Sequence, residues 1–277
     1  MSASPDPAPP ARSLWTRRVV VLAAVVVLAV VVWLVVRDDG GTPAASSPRS
    51  SPTAPSPTAT QDPAEPTPST TGAAGCDATG DTTPQAADTH EVVDVDGDDE
   101  ADTAWLTGGA DRRFGITTAS GATFSVPVGS ASPQRASAVV DVVAAGDDTA
   151  PVALVDTGRE VLLLSAADCD LAATQNLAGD AYTFDKGFAG HGTGVGCTEV
   201  GGALHLAGLK ATSGDGESFT VTRTLVDLDD GAMTASNGEE STVASGADPD
   251  DPAVVTGQET TCGDLVAGED GPVEPES

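Results

Sequence analysis

Residues Val19–Val36 read VVVLAAVVVLAVVVWLVV, eighteen apolar residues with no charge, Gly or Pro among them. As a helix rising ~1.5 Å per residue the run covers about 27 Å, close to the hydrocarbon thickness of a bilayer. Arg12, Arg17 and Arg18 precede it, while Asp38 and Asp39 follow Arg37. The Lys/Arg bias puts the N-terminal side in the cytoplasm. The reading is a short cytoplasmic tail (1–18), a transmembrane helix acting as signal anchor (19–36), and an extracytoplasmic remainder on a single-pass cell-membrane protein. A cleaved signal would have a core of roughly 7–15 residues ending in a small-x-small site. Here the core is longer and ends in Val35-Val36-Arg37-Asp38, and the nearest small-residue site, Thr42-Pro43-Ala44, encloses a Pro. Secretion after signal cleavage is the alternative.

The chain holds 42 Asp+Glu against 12 Lys+Arg. One acid and four bases lie at or before Arg37, so residues 38–277 carry 41 acids and 8 bases, a formal charge of −33. Such a surface repels nucleic acid and anionic headgroups and attracts cations and basic partners. Nucleic-acid binding is excluded on this ground. The four cysteines, Cys76, Cys169, Cys197 and Cys262, all fall in the exported part, and an even count in an oxidising compartment argues for two disulfides. No C-x-x-C occurs and there are three His in all, His90, His191 and His205, so a zinc site does not fit. Of the three connectivities, Cys169–Cys197 with Cys76–Cys262 is the expected one, the second pair clasping the ends of the folded domain.

Residues 37–75 are rich in Pro, Ser and Thr with almost no large apolar side chain, a composition that cannot bury a core and reads as a disordered linker. The acidic, Pro-containing stretch 263–277 is expected to be disordered as well. Between them, residues 76–262 show short β-branched apolar runs: Ala104–Leu106, Phe124–Val128, Val139–Val143, Val152–Val155, Val161–Leu164, Leu204–Leu206 and Phe219–Val226. Gly, Asp and Ser punctuate them, and no stretch sustains a 3.6-residue apolar period. This is an all-β pattern of many short strands. Asp229-Asp230-Gly231 is a hairpin-turn signal between two of them.

A repeat runs through the pattern. Leu106 in DTAWLTGG, Leu154 in APVALVDTG and Leu206 in LHLAGL stand 48 and 52 residues apart, each on a short strand that precedes longer polar strands. Periods of 40–50 residues with several strands apiece suggest propeller blades. Three to four such units make a small or incomplete β-propeller-like ectodomain, with a β-sandwich as the alternative. Trp105 is read as a core residue of its unit rather than a sugar platform.

One stretch carries metal chemistry. Residues 94–102 read DVDGDDEAD, with carboxylates at loop positions 1, 3, 5 and 9 (Asp94, Asp96, Asp98 and Asp102) and the backbone carbonyl of Glu100 at position 7. A tight loop with this spacing can wrap one hard cation, and Ca²⁺ takes six to eight oxygens at about 2.3–2.6 Å. An EF-hand is excluded, because position 12 is Trp105 and neither flank is helical. The stretch resembles the calcium loops of FG-GAP and VCBS-type repeats of integrin-like propellers, which follow D-x-[DN]-G-D-G-x-x-D, an apolar strand and Gly-Ala-Pro. Asp94, Asp96, Gly97, Asp98 and Asp102 fall on matching positions, and Gly108-Gly109-Ala110 lies near the Gly-Ala-Pro slot. Asp99 stands where the motif has its second Gly, and no Phe-Gly precedes the loop. The second unit keeps only Asp141 and a displaced Asp147-Asp148, the third Glu199-Val200-Gly201-Gly202. What the resemblance implies is a propeller-type repeat with one calcium-stiffened turn.

No catalytic signature accompanies it. There is no G-x-S-x-G. His191-Gly192-Thr193-Gly194-Val195-Gly196 lacks the Lys-[Ser/Thr] of a phosphate loop and reads as a Gly turn entering the Cys197 strand. The expectation is a non-enzymatic, membrane-tethered binding or structural module that meets an envelope protein or glycan. The alternative is a cell-surface hydrolase acting on envelope polymers.

Overall fold

The structure is a computed structural model that describes residues 75–130, 132–187 and 193–276. The expected tail, anchor and nearly all of the linker (1–74) lie outside the described residues, as does His191. Among the described residues no helix is long and apolar enough to cross a membrane.

The described residues are all-β, and their longer strands group into three successive, mainly antiparallel sheets. The first is a meander of β1 (Asp88–Val92), β2 (Asp102–Leu106), β3 (Arg113–Thr117) and β4 (Thr123–Pro127) in that order. The second runs β5 (Ser137–Ala145), β6 (Asp148–Asp156) and β7 (Glu160–Ser165). The two-residue β8 (Ala172–Ala173) pairs with β7, and the edge strand β10 (Thr183–Asp185) lies beyond it. The third runs β11 (Thr193–Val200), β12 (Ala203–Ser213), β13 (Phe219–Leu228) and β14 (Thr234–Ala247), with the short β9 (Gln175–Asn176) parallel to β14. A five-residue helix, α1 (Pro252–Thr256), and the hairpin of β15 (Thr261–Cys262) and β16 (Leu265–Val266) complete the order. Every apolar run read from the sequence falls on or overlaps one of these strands. Gly194 and Gly196 belong to β11 itself, so the glycine segment is already strand where a turn was expected. Asp229-Asp230-Gly231 does turn β13 into β14: Asp229 Oδ1 accepts the Thr234 N–H at 2.7 Å, and Gly231 takes a φ of 75°.

Leu106, Leu154 and Leu206 lie on β2, β6 and β12 and are fully buried. The second sheet is buried on both faces, which is why β5 to β7 read as nearly continuous apolar runs (SAVVDVVAA, PVALV, VLLL) rather than alternating ones. Ala138, Val140 and Val155 pack against Leu106, Phe114 and Ile116 of the first sheet. Val139, Val143, Leu154 and Leu163 pack on the opposite side against Leu206, Val226 and Leu228 of the third. Among the described residues no core cluster joins the first sheet to the third, so the three do not close into a ring. Trp105 is buried, its ring lying over the bare backbone of its cross-strand partner Gly115, so it serves the core as expected.

The cysteines form two disulfides, but with a different pairing from the expected Cys169–Cys197 and Cys76–Cys262. Cys76 bonds Cys169, and Cys197 bonds Cys262. Strand pairing is the cause. The segment before β15 runs beside β11, with Val195 bridged in parallel to Thr260, which sets the Cys197 and Cys262 Cα atoms 4.3 Å apart. Cys169 lies in the loop after β7 and reaches the segment that precedes β1, tying the first sheet to the second.

The stretch after Cys262 departs from its expected disorder. Beyond β16 it lies along β5: Ala138 N–H donates to the Pro272 carbonyl at 3.1 Å and Glu274 N–H to the Ala136 carbonyl at 2.8 Å. The Glu274 carboxylate meets Arg112 at 2.9 Å with both side chains largely buried, and Val273 N–H donates to Asp88 Oδ2. Backbone pairing and one buried ion pair hold a segment whose composition is that of a solvated tail.

Candidate metal centre

The acidic loop, residues 93–101, joins β1 to β2 and is the longest connection in the first sheet. Asp94 folds the loop around itself: its Oδ1 accepts the N–H groups of Asp96 (3.1 Å) and Gly97 (2.7 Å), and its Oδ2 that of Asp99 (2.8 Å). This is the turn chemistry that Asp side chains supply by bonding their own downstream backbone. Two residues take left-handed conformations to complete the curl, Gly97 at φ 75° and Asp99 at φ 68°. Asp99 takes this conformation without being a glycine, which costs on the order of 1 kcal/mol.

Asp102 opens β2 with its side chain buried, 1% exposed. Its Oδ2 accepts the Val95 N–H at 2.7 Å and its Oδ1 the Ala119 N–H at 2.9 Å, so it pins the loop to the β3–β4 turn. Burial, the largest influence, pushes the Asp102 carboxyl above its ordinary value. The two backbone hydrogen bonds pull the other way, and the negative charges of Asp96 and Asp94 add to the rise.

Asp96 faces the same point from the middle of the loop. Its Oδ2 accepts the Cys76 N–H at 2.8 Å and the Ser120 hydroxyl at 2.6 Å. Burial pushes this carboxyl up as well, but the Cys76 and Ser120 hydrogen bonds, with the Thr118 hydroxyl and the Asp98 N–H adding to their pull, hold it below the usual carboxylate value. Its other oxygen, Oδ1, is buried with no hydrogen-bond partner.

Carboxylate oxygens of Asp94, Asp96 and Asp102 all lie within 4.8 Å of one another. Of the expected ligand set, the structure therefore gathers these three. Asp98 stands outside the cluster, its Oδ1 taken by the Glu100 N–H at 2.8 Å. Ser120 and Thr118 were not legible as partners of the loop, because they arrive from the β3–β4 turn more than twenty residues on. The corresponding acids of the other units, Asp141 within β5 and Asp147 and Asp148 at the β5–β6 turn, form no such group among the described residues.

The donor set is all oxygen and anionic, the kind that suits a hard divalent cation rather than zinc or copper. Three mutually repelling carboxylates, one with a buried oxygen left without a partner, are the residues such an ion would relieve. The chain was compared with protein-family models, with curated proteins and with solved structures, and none matches.

Proposed function

We propose that this protein is a membrane-tethered, extracytoplasmic binding or structural module in which calcium, held by Asp94, Asp96 and Asp102, stiffens the β1–β2 turn of the first of three blade-like units. The observation that carries the calcium reading is the approach of one oxygen from each of these three carboxylates to within 4.8 Å of the others, together with a buried, unpartnered Asp96 Oδ1. When bound, the ion would neutralise charge and fix the turn; no bond-making chemistry is assigned to it, and the module is read as non-enzymatic. Extracellular sites of this class bind at ~10⁻⁴–10⁻³ M, sufficient where calcium is abundant.

The propeller-like reading is supported by three consecutive meanders, stacked face to face, each with a buried Leu on its second strand. The extracytoplasmic reading is supported by the Val19–Val36 run with its flanking arginines and by two disulfides, which persist in oxidising compartments. An envelope protein or glycan is the proposed partner class. Protease added to intact spheroplasts tests the topology: residues 76–262 should be degraded or shed, and a tag at Ser2 protected. Protection of the β domain would reverse the orientation and remove this reading.

A further inference from the structure

The third sheet uses its two faces differently. One face, with Leu206, Val226 and Leu228, is buried against the second sheet. On the other face α1 packs against β11, β13 and β14, and between helix and sheet lies an open cleft of about 280 Å³. Its walls include the aliphatic side chains of Leu209, Val221, Val243 and Ala253, and its polar side chains are Thr198, Arg223 and Thr256. Alternation along the strands places these residues on one face: Arg223 pairs directly with Leu209 across β12 and β13, and Val221 lies two residues before it.

Arg223 is the charged member of the lining. Arg112 pairs with Glu274, Lys186 with Asp156 and Arg135 with Glu276, whereas Arg223, like Arg113 and Lys210, forms no ion pair among the described residues. Its Nη1 donates to the Thr198 hydroxyl at 3.0 Å, and its Nε is buried without a partner. A guanidinium offers five donors in a planar fork that matches a carboxylate, and a buried donor left unpaired is costly. An apolar pocket with few convergent polar groups is the usual form of a small-ligand site, and at about 280 Å³ this cleft lies just below the usual range of roughly 300–1,000 Å³.

We infer that the cleft between α1 and the third sheet binds a small aliphatic carboxylate, with the carboxylate on Arg223 and Thr198 and a branched body of about four to six carbons against Leu209, Val221 and Val243. The inference is independent of the calcium reading. A free short-chain acid and the C-terminal residue of a peptide present the same chemistry. The test is ligand-observed saturation-transfer NMR on the purified full chain, with 4-methylpentanoate, 4-methylpentanamide, acetyl-Ala-Leu and the amide of acetyl-Ala-Leu as probes. At least one acid should bind saturably below 10 mM, and its amide at least tenfold more weakly. Binding of the free acid alone identifies a small-molecule site, and binding of the dipeptide acid identifies a peptide C-terminus. Arg223→Gln should remove the preference for acid over amide, and Val243→Ser, at a partly exposed wall position, should weaken acid and amide together. A circular dichroism spectrum and melting curve matching the parent show that each variant is folded. No binding of either acid, equal binding of acid and amide, or an acid preference that survives in folded Arg223→Gln would overturn the assignment.

Discussion

The backbone N–H of Cys76 donates to Asp96 Oδ2 at 2.8 Å, so the Cys76–Cys169 disulfide and the acidic loop share a strut. Cys76 is in turn bonded to Cys169 in the second sheet, 93 residues on. The loop's geometry is therefore set by a covalent link to a neighbouring sheet as well as by its own turn chemistry.

Removing that link should both loosen the domain and weaken the loop. Chain-entropy reasoning gives about 4.6 kcal/mol for a closed loop of this length, a model-dependent figure. Cys76→Ser with Cys169→Ser should therefore lower the urea midpoint strongly, whereas peptide mapping of the parent should recover Cys76–Cys169 and Cys197–Cys262 linkages. Peptides joining Cys169 to Cys197 would contradict the strand arrangement itself.

The stretch after Cys262 should matter to stability in spite of its acidic composition. Glu274 Oε2 accepts both Arg112 Nη1 at 2.9 Å and the Ala136 N–H at 3.0 Å, with its side chain 14% exposed. Glu274→Ala leaves the Arg112 charge, 12% exposed, without its partner and should cost about 2–4 kcal/mol in urea unfolding. A loss below a few tenths would mean the segment is not docked in solution.

These two features also mark where sequence reading stops. The strands were legible because β-branched runs bounded by Gly and Asp have little alternative, and the acidic loop because its ligand spacing is local. Disulfide pairing and the docking of residues 263–276 depend on which strands lie side by side, as with Val195 beside Thr260 and Ala136 beside Glu274. No local pattern encodes that. Likewise Asp98 has the right spacing yet bonds the Glu100 N–H, while Ser120, with no spacing signal at all, bonds Asp96.

Asp141 gives a pH-dependent prediction. It sits half-buried in β5, and burial raises its carboxyl above the ordinary 3.8, with the Val142 N–H pulling weakly the other way. Between 3.8 and its raised folded value the native state holds more protons than the unfolded one, so its contribution to stability falls as pH rises through that window. The penalty is full above the folded value and absent below the unfolded one. Asp141→Asn keeps an oxygen for the Val142 N–H and removes the charge, so it should be more stable than the parent at pH 7. That advantage should shrink as pH falls through the window. An advantage that is constant with pH would refute the burial argument.

The central claim, a calcium-held turn, is tested most directly by calorimetric titration of the metal-free protein with Ca²⁺ up to several millimolar. The account predicts saturable one-site binding, and a stabilisation of about 1.4 kcal/mol when free calcium reaches ten times Kd. Mg²⁺ should substitute poorly, because it demands a smaller, near-octahedral shell. Asp96→Ala should abolish the heat and the stabilisation while the domain stays folded, because the strands and the two disulfides still hold the core. Absence of saturable binding in the parent, or binding that persists in Asp96→Ala, would contradict the account and leave the loop a hydrogen-bonded acidic turn.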